Sequence, residues 1–465
     1  MRKAKIICTL GPATDPPGRI EALIRAGMDM ARVNFSHGTW EEHRARIERV
    51  RKASRALGRP VAVLQDVQGP KIRLGRFEGG KLLLQEGETV TLTTERVVGR
   101  SGLIPTPLRS LPRDVQPGDP VLLNDGRVRL EVVQTRGQRV TCRVQVGGWV
   151  GDHKGLNLPR APVSTPALTP KDVKDLAFGQ EMRVDYVALS FVRTAADIER
   201  ARRHVRELKT PLIAKVEKPQ AVEAIDAIAR AADGVMVARG DLGVEMPLER
   251  LPHIQKDLVK RANTAGAVTI VATEMLESMT QNPRPTRAEV TDVANAIWDG
   301  ADAVMLSGET AVGQDPAGAA ATMARIVEEA EGAQPACVGT PYQGSKEISV
   351  GVAAAAVAAS RQLEISTLIA YTETGHTAKL ISEFRPSARI VALTPNAEMV
   401  NRMQLYWGVT ALPVTRHRSV DAMVEGVRKL CREDRLCTAG TPVVLVAGVP
   451  LNRPGNTNVM TVVRI

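Results

Sequence analysis

Aromatic side chains are scarce in this chain, with five Phe, four Tyr and four Trp making up 3% of its 465 residues. Nucleic-acid binders interleave stacking rings with clustered cations. Here rings are few and the basic residues are spread along the chain, so no nucleic-acid partner is expected. Apolar runs are also short. None approaches the roughly 18 residues of a membrane span, and no membrane partner is expected. Cysteines number five, at Cys8, Cys142, Cys337, Cys431 and Cys437, and no two form a C-x-x-C pair. An odd, scattered set argues against a disulfide framework and against a zinc site, and it fits the reducing cytoplasm. The N-terminus opens on basic residues, but the apolar Ile6-Ile7-Cys8-Thr9-Leu10 is too short for a signal sequence and lacks a cleavage site. It reads as a first strand.

What remains is an ordinary globular composition, 43% hydrophobic and 24% charged, long enough for several domains. The formal charge of +11 is compatible with nucleic acid, an anionic surface or small phosphorylated substrates, and does not choose among them.

Branched apolar runs recur at Lys5 to Leu10, Met28 to Phe35, Val61 to Val67, Tyr186 to Phe191, Leu212 to Glu217, Gly234 to Gly240, Val268 to Thr273 and Ala303 to Ser307. Amphipathic stretches alternate with them: Arg19 to Ala26, Trp40 to Leu57, Pro170 to Met182, Ala195 to Leu208, Pro219 to Ala231, Leu248 to Ala265, Thr286 to Trp298 and Ala317 to Glu329. The alternation predicts an α/β protein built on a (β/α)8 TIM barrel. After the third strand a long stretch rich in Gly, Pro, Val and Thr carries turn signals at Asn124-Asp125-Gly126, Arg136-Gly137 and Gly147-Gly148. It predicts an inserted small all-β domain on the barrel face where active sites lie, placed to act as a lid. Near Ala336 a fresh α/β pattern begins, with a helix from Val350 to Gln362 and strands at Thr367 to Tyr371, Arg389 to Leu393 and Val443 to Val446. The expected domains are therefore barrel at 1–69, β lid at 70–166, barrel again at 167–335, and a three-layer α/β domain at 336–465.

Charged residues at strand ends carry the chemistry. Lys215 and Glu217 close the fifth strand with the two-residue spacing that sends both side chains to one side. Asp241 closes the sixth on the same face. An ammonium and two carboxylates converging there suit a magnesium ion with a lysine beside its phosphate. A plain ion pair closing the barrel is the alternative, and it is costly in otherwise apolar strands. Arg32, Asn34 and Ser36 alternate at the end of strand two, an anion clamp beside oxygen donors. Asp66, Lys71 and Arg73 lie at the lid hinge. Thr273 ends strand seven, where its hydroxyl could orient a substrate or a water. Ser307-Gly308-Glu309-Thr310 follows strand eight, as a phosphate loop or as a simple helix cap.

Seven segments, in order, resemble pyruvate kinase motifs: Ile6 to Pro12, Asn34 to Gly38, Gly69 to Arg73, Lys154 to Pro159, Met236 to Gly243, Ala272 to Met279 and Leu306 to Ala311. The resemblance spans nearly the whole chain. It implies a cytoplasmic phosphotransferase that moves the phosphoryl group of phosphoenolpyruvate onto MgADP, yielding pyruvate and ATP. It implies Lys215 as transition-state stabiliser, Glu217 and Asp241 as ligands of Mg²⁺ or Mn²⁺, and Arg32, Gly240, Asp241 and Thr273 as phosphoenolpyruvate contacts. Nucleotide contacts are implied at Asn34, Ser36, His37, Arg73 and Lys154, and a homotetramer is the implied assembly.

The chain departs from that family at the K⁺ site, which many members build on positions matching Asn34, Ser36, Asp66 and residue 67. Val67 and Leu74 stand where threonines are common, Gln68 where a lysine is, and Lys71 where a glutamate is. An ammonium there would repel a monovalent cation and can replace it, so K⁺-independent activity is expected. In the C-terminal domain Thr372, Thr374, Gly375, His376 and Thr377 lie between a strand and a helix, suitable for a phosphate. The family's allosteric loop lies there, and His376 replaces a common Lys or Arg, which favours AMP or a sugar monophosphate as effector. A barrel lyase using Lys215 as a Schiff base, or Glu217 and Asp241 on an enolate, is the competing enzyme reading. A non-catalytic binder is the third, and only the net charge supports it.

Overall fold

The computed structural model describes residues 2–159, 166–333, 341–433, 437, 438, 440–453 and 455–465. Eight parallel strands close a barrel: Lys5–Thr9, Met30–Asn34, Ala62–Val67, Tyr186–Leu189, Leu212–Val216, Gly234–Ala238, Val268–Ala272 and Ala303–Leu306. The first strand pairs with both the second and the eighth, which leaves no edge. Period-two alternation sorts their side chains. Ile7, Met30, Leu64, Ile213, Met236 and Ile270 fill the interior, while Ile6, Ala31, Val63, Ala214, Val235 and Val271 meet the helices outside. Three of those helices begin on reciprocal caps, Thr39 with Glu42, Thr169 with Asp172 and Thr286 with Glu289.

Most of these strands stop one or two residues short of the sequence expectation, so Glu217 and Thr273 stand just beyond the ladder. The larger difference is at strand six. The chain turns at Ala238 directly into a short helix, Arg239–Glu245, so Gly240 and Asp241 lie in its first turn rather than on the strand. Elsewhere the helix expected from Pro219 to Ala231 is split at Ala224, and the one from Leu248 opens as a 3-10 turn.

Between barrel strands three and four the inserted segment forms a six-stranded sheet and a two-stranded ribbon around its own core of Leu84, Leu92, Ile104, Leu123, Leu130 and Val140. Asn124, Asp125 and Gly126 take positive φ of 51°, 55° and 83° at the expected turn. The lid contacts the barrel mouth through Asn157, whose side chain donates to Glu245 Oε1 at 2.8 Å.

The C-terminal sheet runs Val409–Pro413, Arg389–Thr394, Thr367–Tyr371, Pro442–Ala447, Val459–Arg464, the last strand antiparallel. Helices Ile348–Gln362 and His376–Glu383 pack on one face and Val420–Glu433 on the other, which makes three layers. This domain docks at the amino-terminal end of the barrel, opposite the lid. Lys5 Nζ donates to Val409 O at 2.8 Å, Tyr186 OH to Arg402 O at 2.6 Å, and Leu405 plugs the floor. Cys337 and the expected boundary at 335 and 336 lie outside the described residues. Among the described residues no helix is long and apolar enough to cross a membrane.

Candidate active site

The carboxyl ends of strands two, three, four and five bring one buried ionic cluster together. Lys215 Nζ lies 2.9 Å from Glu217 Oε1 and 3.2 Å from Asp66 Oδ1, and donates to Ser190 Oγ at 2.7 Å. Arg32 reaches the other oxygen of Asp66 through Nε at 2.7 Å, and its NH1 donates to Thr9 Oγ1 at 3.0 Å. Glu217 Oε2 accepts the Phe191 amide at 2.7 Å, which fixes the carboxylate's orientation. Ser190, whose hydroxyl donates to Val67 O at 2.8 Å, was not singled out from sequence, because a lone serine after a strand carries no charge signal.

Electrostatics decide the protonation states. Burial would lower the Lys215 pKa, but Asp66 and Glu217 outweigh it and raise the value, so the ammonium stays charged. Burial would raise Asp66, yet Lys215 and Arg32 together hold it below the ordinary carboxylate range. Glu217 is pushed up to about 7 by burial and by the nearby Asp241 charge, against the pull of Lys215. A carboxylate so destabilised gains from a further cation.

The residues present fit a magnesium ion. Glu217 Oε1 is buried without a hydrogen bond, since Lys215 lies in ion-pair range but outside hydrogen-bond geometry. Asp241 shares the mouth, with one oxygen 3.5 Å from Lys71 Nζ. Among the described residues no cluster of three or more His, Cys, Asp or Glu could hold a metal. Two carboxylates with substrate oxygens completing the shell is the usual magnesium arrangement at phosphoryl-transfer sites.

Thr273 has φ of 73° and Glu274 of 53°, a left-handed pair that costs energy in non-glycine residues. Arg239 stabilises it. Its guanidinium donates to Ala272 O at 3.3 Å and Thr273 O at 2.6 Å, while Asp292 anchors it at 2.6 Å. Thr273 Oγ1 then accepts the Gly240 amide at 2.7 Å, joining strand seven's loop to the helix that carries Asp241. Arg239 lay within a recognised motif, but only the fold shows its role.

The other predicted residues occupy the rim. Asn34 Oδ1 accepts the Ser36 amide at 3.1 Å, and Ser36 is in a turn beyond the strand. Burial, then Arg73, Lys71 and Arg32, hold the His37 imidazole below its ordinary pKa, which places these groups within one another's field. Arg73 NH1 donates to His153 O at 3.1 Å, beside the exposed Lys154. Both Asp66 oxygens are taken by Arg32 and Lys215. Among the described residues Lys71 makes no hydrogen bond or ion pair to Asn34, Ser36 or Asp66, and its ammonium points to Asp241 instead.

The expected effector residues form a separate pocket in the C-terminal domain. Thr372, Thr374, His376 and Thr377 line it with Arg453 and Thr457, and Thr377 Oγ1 is 2.7 Å from Thr457 Oγ1. Its volume of ≈ 20 Å³ holds little more than a water. Gly375 caps the following helix with φ of 81°.

Comparison with known proteins agrees with this geometry. Residues 1–320 match the family described as pyruvate kinase, barrel domain, and residues 351–463 match pyruvate kinase, alpha/beta domain. A pyruvate kinase of Mycobacterium tuberculosis is 45% identical over 100% of this chain and 98% of its own length. One from Corynebacterium glutamicum is 43% identical over 99% of this chain and 97% of its own. A crystal structure of a pyruvate kinase from Cryptosporidium parvum superimposes with a TM-score of 0.93 at 35% identity, covering 100% of this chain and 96% of that one. The chain belongs to the pyruvate kinase family of phosphotransferases.

Proposed function

We propose that the chain transfers the phosphoryl group of phosphoenolpyruvate to ADP at the barrel mouth, with Lys215 as the central catalytic group. The observation that carries this reading is the Lys215 ammonium, held charged 2.9 Å from Glu217 and 3.2 Å from Asp66. A lysine whose pKa is raised by two adjacent carboxylates is poorly suited to Schiff-base chemistry, which needs the free amine, and suited to neutralising phosphoryl oxygens.

Arg32 and Lys215 face the phosphoryl group while Asp66 holds both cations in place. A β-phosphate oxygen of ADP attacks phosphorus, and the bond from phosphorus to the enol oxygen breaks, leaving the enolate of pyruvate. The enolate carbon then takes a proton, from a source oriented by Thr273. Glu217 and Asp241 would hold Mg²⁺ or Mn²⁺, which would supply charge neutralisation for the phosphoryl transfer. Asn34, Ser36, His37, Arg73 and Lys154 contact the nucleotide on the lid side.

We further propose that this activity needs no K⁺. Lys71 supports the reading by adding an ammonium 3.5 Å from Asp241, and Val67 and Leu74 offer no hydroxyl ligands. A coupled assay with phosphoenolpyruvate and ADP in Tris or sodium salts tests both claims. Turnover without K⁺ is expected. A rise of about tenfold or more on adding KCl contradicts K⁺ independence, and no turnover with or without KCl contradicts the activity.

The C-terminal pocket is proposed to take AMP or a sugar monophosphate, with Arg453 supplying the cation that His376 does not. Burial and Lys379 lower the His376 pKa and favour the neutral ring. The ≈ 20 Å³ pocket must widen to admit either ligand. Each effector, titrated against the phosphoenolpyruvate saturation curve, should shift it; no shift with either would end this assignment. Homotetramer assembly is proposed on family membership. Light scattering should return four times the 50.1 kDa chain.

A further inference from the structure

We propose that the lid carries a second polyanion site, in a cleft of ≈ 1050 Å³ beside the hinge, where Arg76, Arg96 and Arg109 take a polyphosphate chain. The cleft is built rather than incidental. Its floor is the buried Leu74, Pro105 and Thr106, fixed by Gly75 N to Pro105 O at 2.7 Å and by Thr106 Oγ1 to Arg73 O at 3.1 Å. Its volume is just above the range of roughly 300–1,000 Å³ for small-molecule sites.

Charge selects the ligand class. Among the described residues the side chains of Arg76, Arg96 and Arg109 make no hydrogen bond or ion pair, although all three line the cleft. Glu95 is the acid lining it among the described residues, and Arg139 binds both its oxygens, at 3.3 and 3.1 Å. The field inside is therefore positive and uncompensated, and concave walls concentrate it. Guanidinium groups are forked donors matched to phosphate oxygens. Three of them, on separate loops, suit a chain of phosphates better than a single one. Val97, 41% exposed at the rim, leaves apolar surface beside the phosphates for a base.

The site is distinct from the reacting centre. It shares Lys71, Arg73 and His153 with the catalytic rim, and none of the three arginines contacts Arg32, Lys215, Glu217 or Asp241 among the described residues. The inference uses the proposed activity in one place only, in taking ADP to fill the nucleotide rim.

The experiment is calorimetric titration of inorganic tripolyphosphate into the full-length enzyme already saturated with ADP. One site per chain is expected. The R76Q/R96Q/R109Q variant should bind at least about tenfold more weakly, with kcat for phosphoenolpyruvate and ADP within about twofold of the parent. That preserved kcat also certifies the fold, and turnover by the parent separates failure of this site from failure of the activity reading. ATP as second probe separates the sources: binding tighter than tripolyphosphate assigns a nucleoside polyphosphate, and equal or weaker binding an inorganic one. The proposal is overturned if the ADP-saturated parent binds no tripolyphosphate, or if the variant binds it equally well. It is also overturned if R127Q/R129Q/R143Q, elsewhere on the lid, weakens binding as much, since general surface charge then suffices.

Discussion

Asp66 serves two buried cations at once, Arg32 on one oxygen and Lys215 on the other. Removing one partner of a buried ionic group leaves the others uncompensated, which costs several kcal/mol. Asp66→Asn should therefore lose about 3 kcal/mol of stability in urea unfolding and at least about 100-fold in kcat. Arg239 acts differently, since it touches no reacting atom and holds the strained backbone at Thr273 and Glu274. Arg239→Lys keeps the charge but loses the fork, so kcat/KM for phosphoenolpyruvate should fall about 100-fold while far-ultraviolet circular dichroism stays unchanged. The charged residues of this site were legible in sequence because charge at the end of an apolar strand is conspicuous. Ser190 and Arg239 were not, because their roles depend on backbone oxygens that only the fold brings near.

At the scale of elements, the helix Arg239–Glu245 joins the parts of the site. It carries Asp241, and its last residue, Glu245, binds Lys218 of the barrel and Asn157 of the lid on the same oxygen. Glu245→Ala should leave Lys218 without its partner and cost about 3 kcal/mol, read as a lower thermal midpoint with a raised KM for ADP. An unchanged KM would mean that the lid docks independently of this helix. The helix was missed from sequence because Arg-Gly-Asp-Leu-Gly-Val-Glu holds two glycines and no side-chain cap. The barrel strands were legible because they are buried along their whole length, and that burial selects continuous apolar runs. Strands Val409–Pro413 and Val459–Arg464 escaped notice because they are half-exposed edges of the C-terminal sheet, short apolar stretches closed by Pro413 and Arg464 without the full burial of the barrel strands.

For the whole molecule, the barrel floor and the C-terminal domain meet at a buried polar junction. Arg385 donates to Asp302 Oδ1 at 2.6 Å and to Gly300 O at 3.0 Å, and Glu383 lies beside them with Oε2 unbonded. Burial and the Asp302 charge push the Glu383 pKa from its ordinary 4.5 up to about 8, against Arg385 and Lys379. The folded state thus holds a proton that the unfolded chain releases above pH 4.5. Its contribution to stability is full below that value and is lost as pH rises through about 8. Thermal midpoints measured from pH 5 to 9 should fall more steeply for the parent than for Glu383→Gln; parallel curves would contradict this assignment. The three-part architecture was legible from pattern, since turn-rich β sequence interrupts a βα rhythm that resumes and then restarts. How the parts dock was not, because Tyr186, Arg385 and Arg402 look like ordinary helix or strand residues until the barrel closes.

The central claim is that one ammonium, held charged by Asp66 and Glu217, stabilises the transferring phosphoryl group. The most direct measurement is turnover of Lys215→Met with phosphoenolpyruvate and MgADP, beside a separate assay of pyruvate enolisation. The account predicts that phosphoryl transfer is abolished while enolisation survives better. A variant keeping more than about a tenth of the parent's phosphoryl-transfer rate, less than 1.4 kcal/mol of barrier, would contradict it.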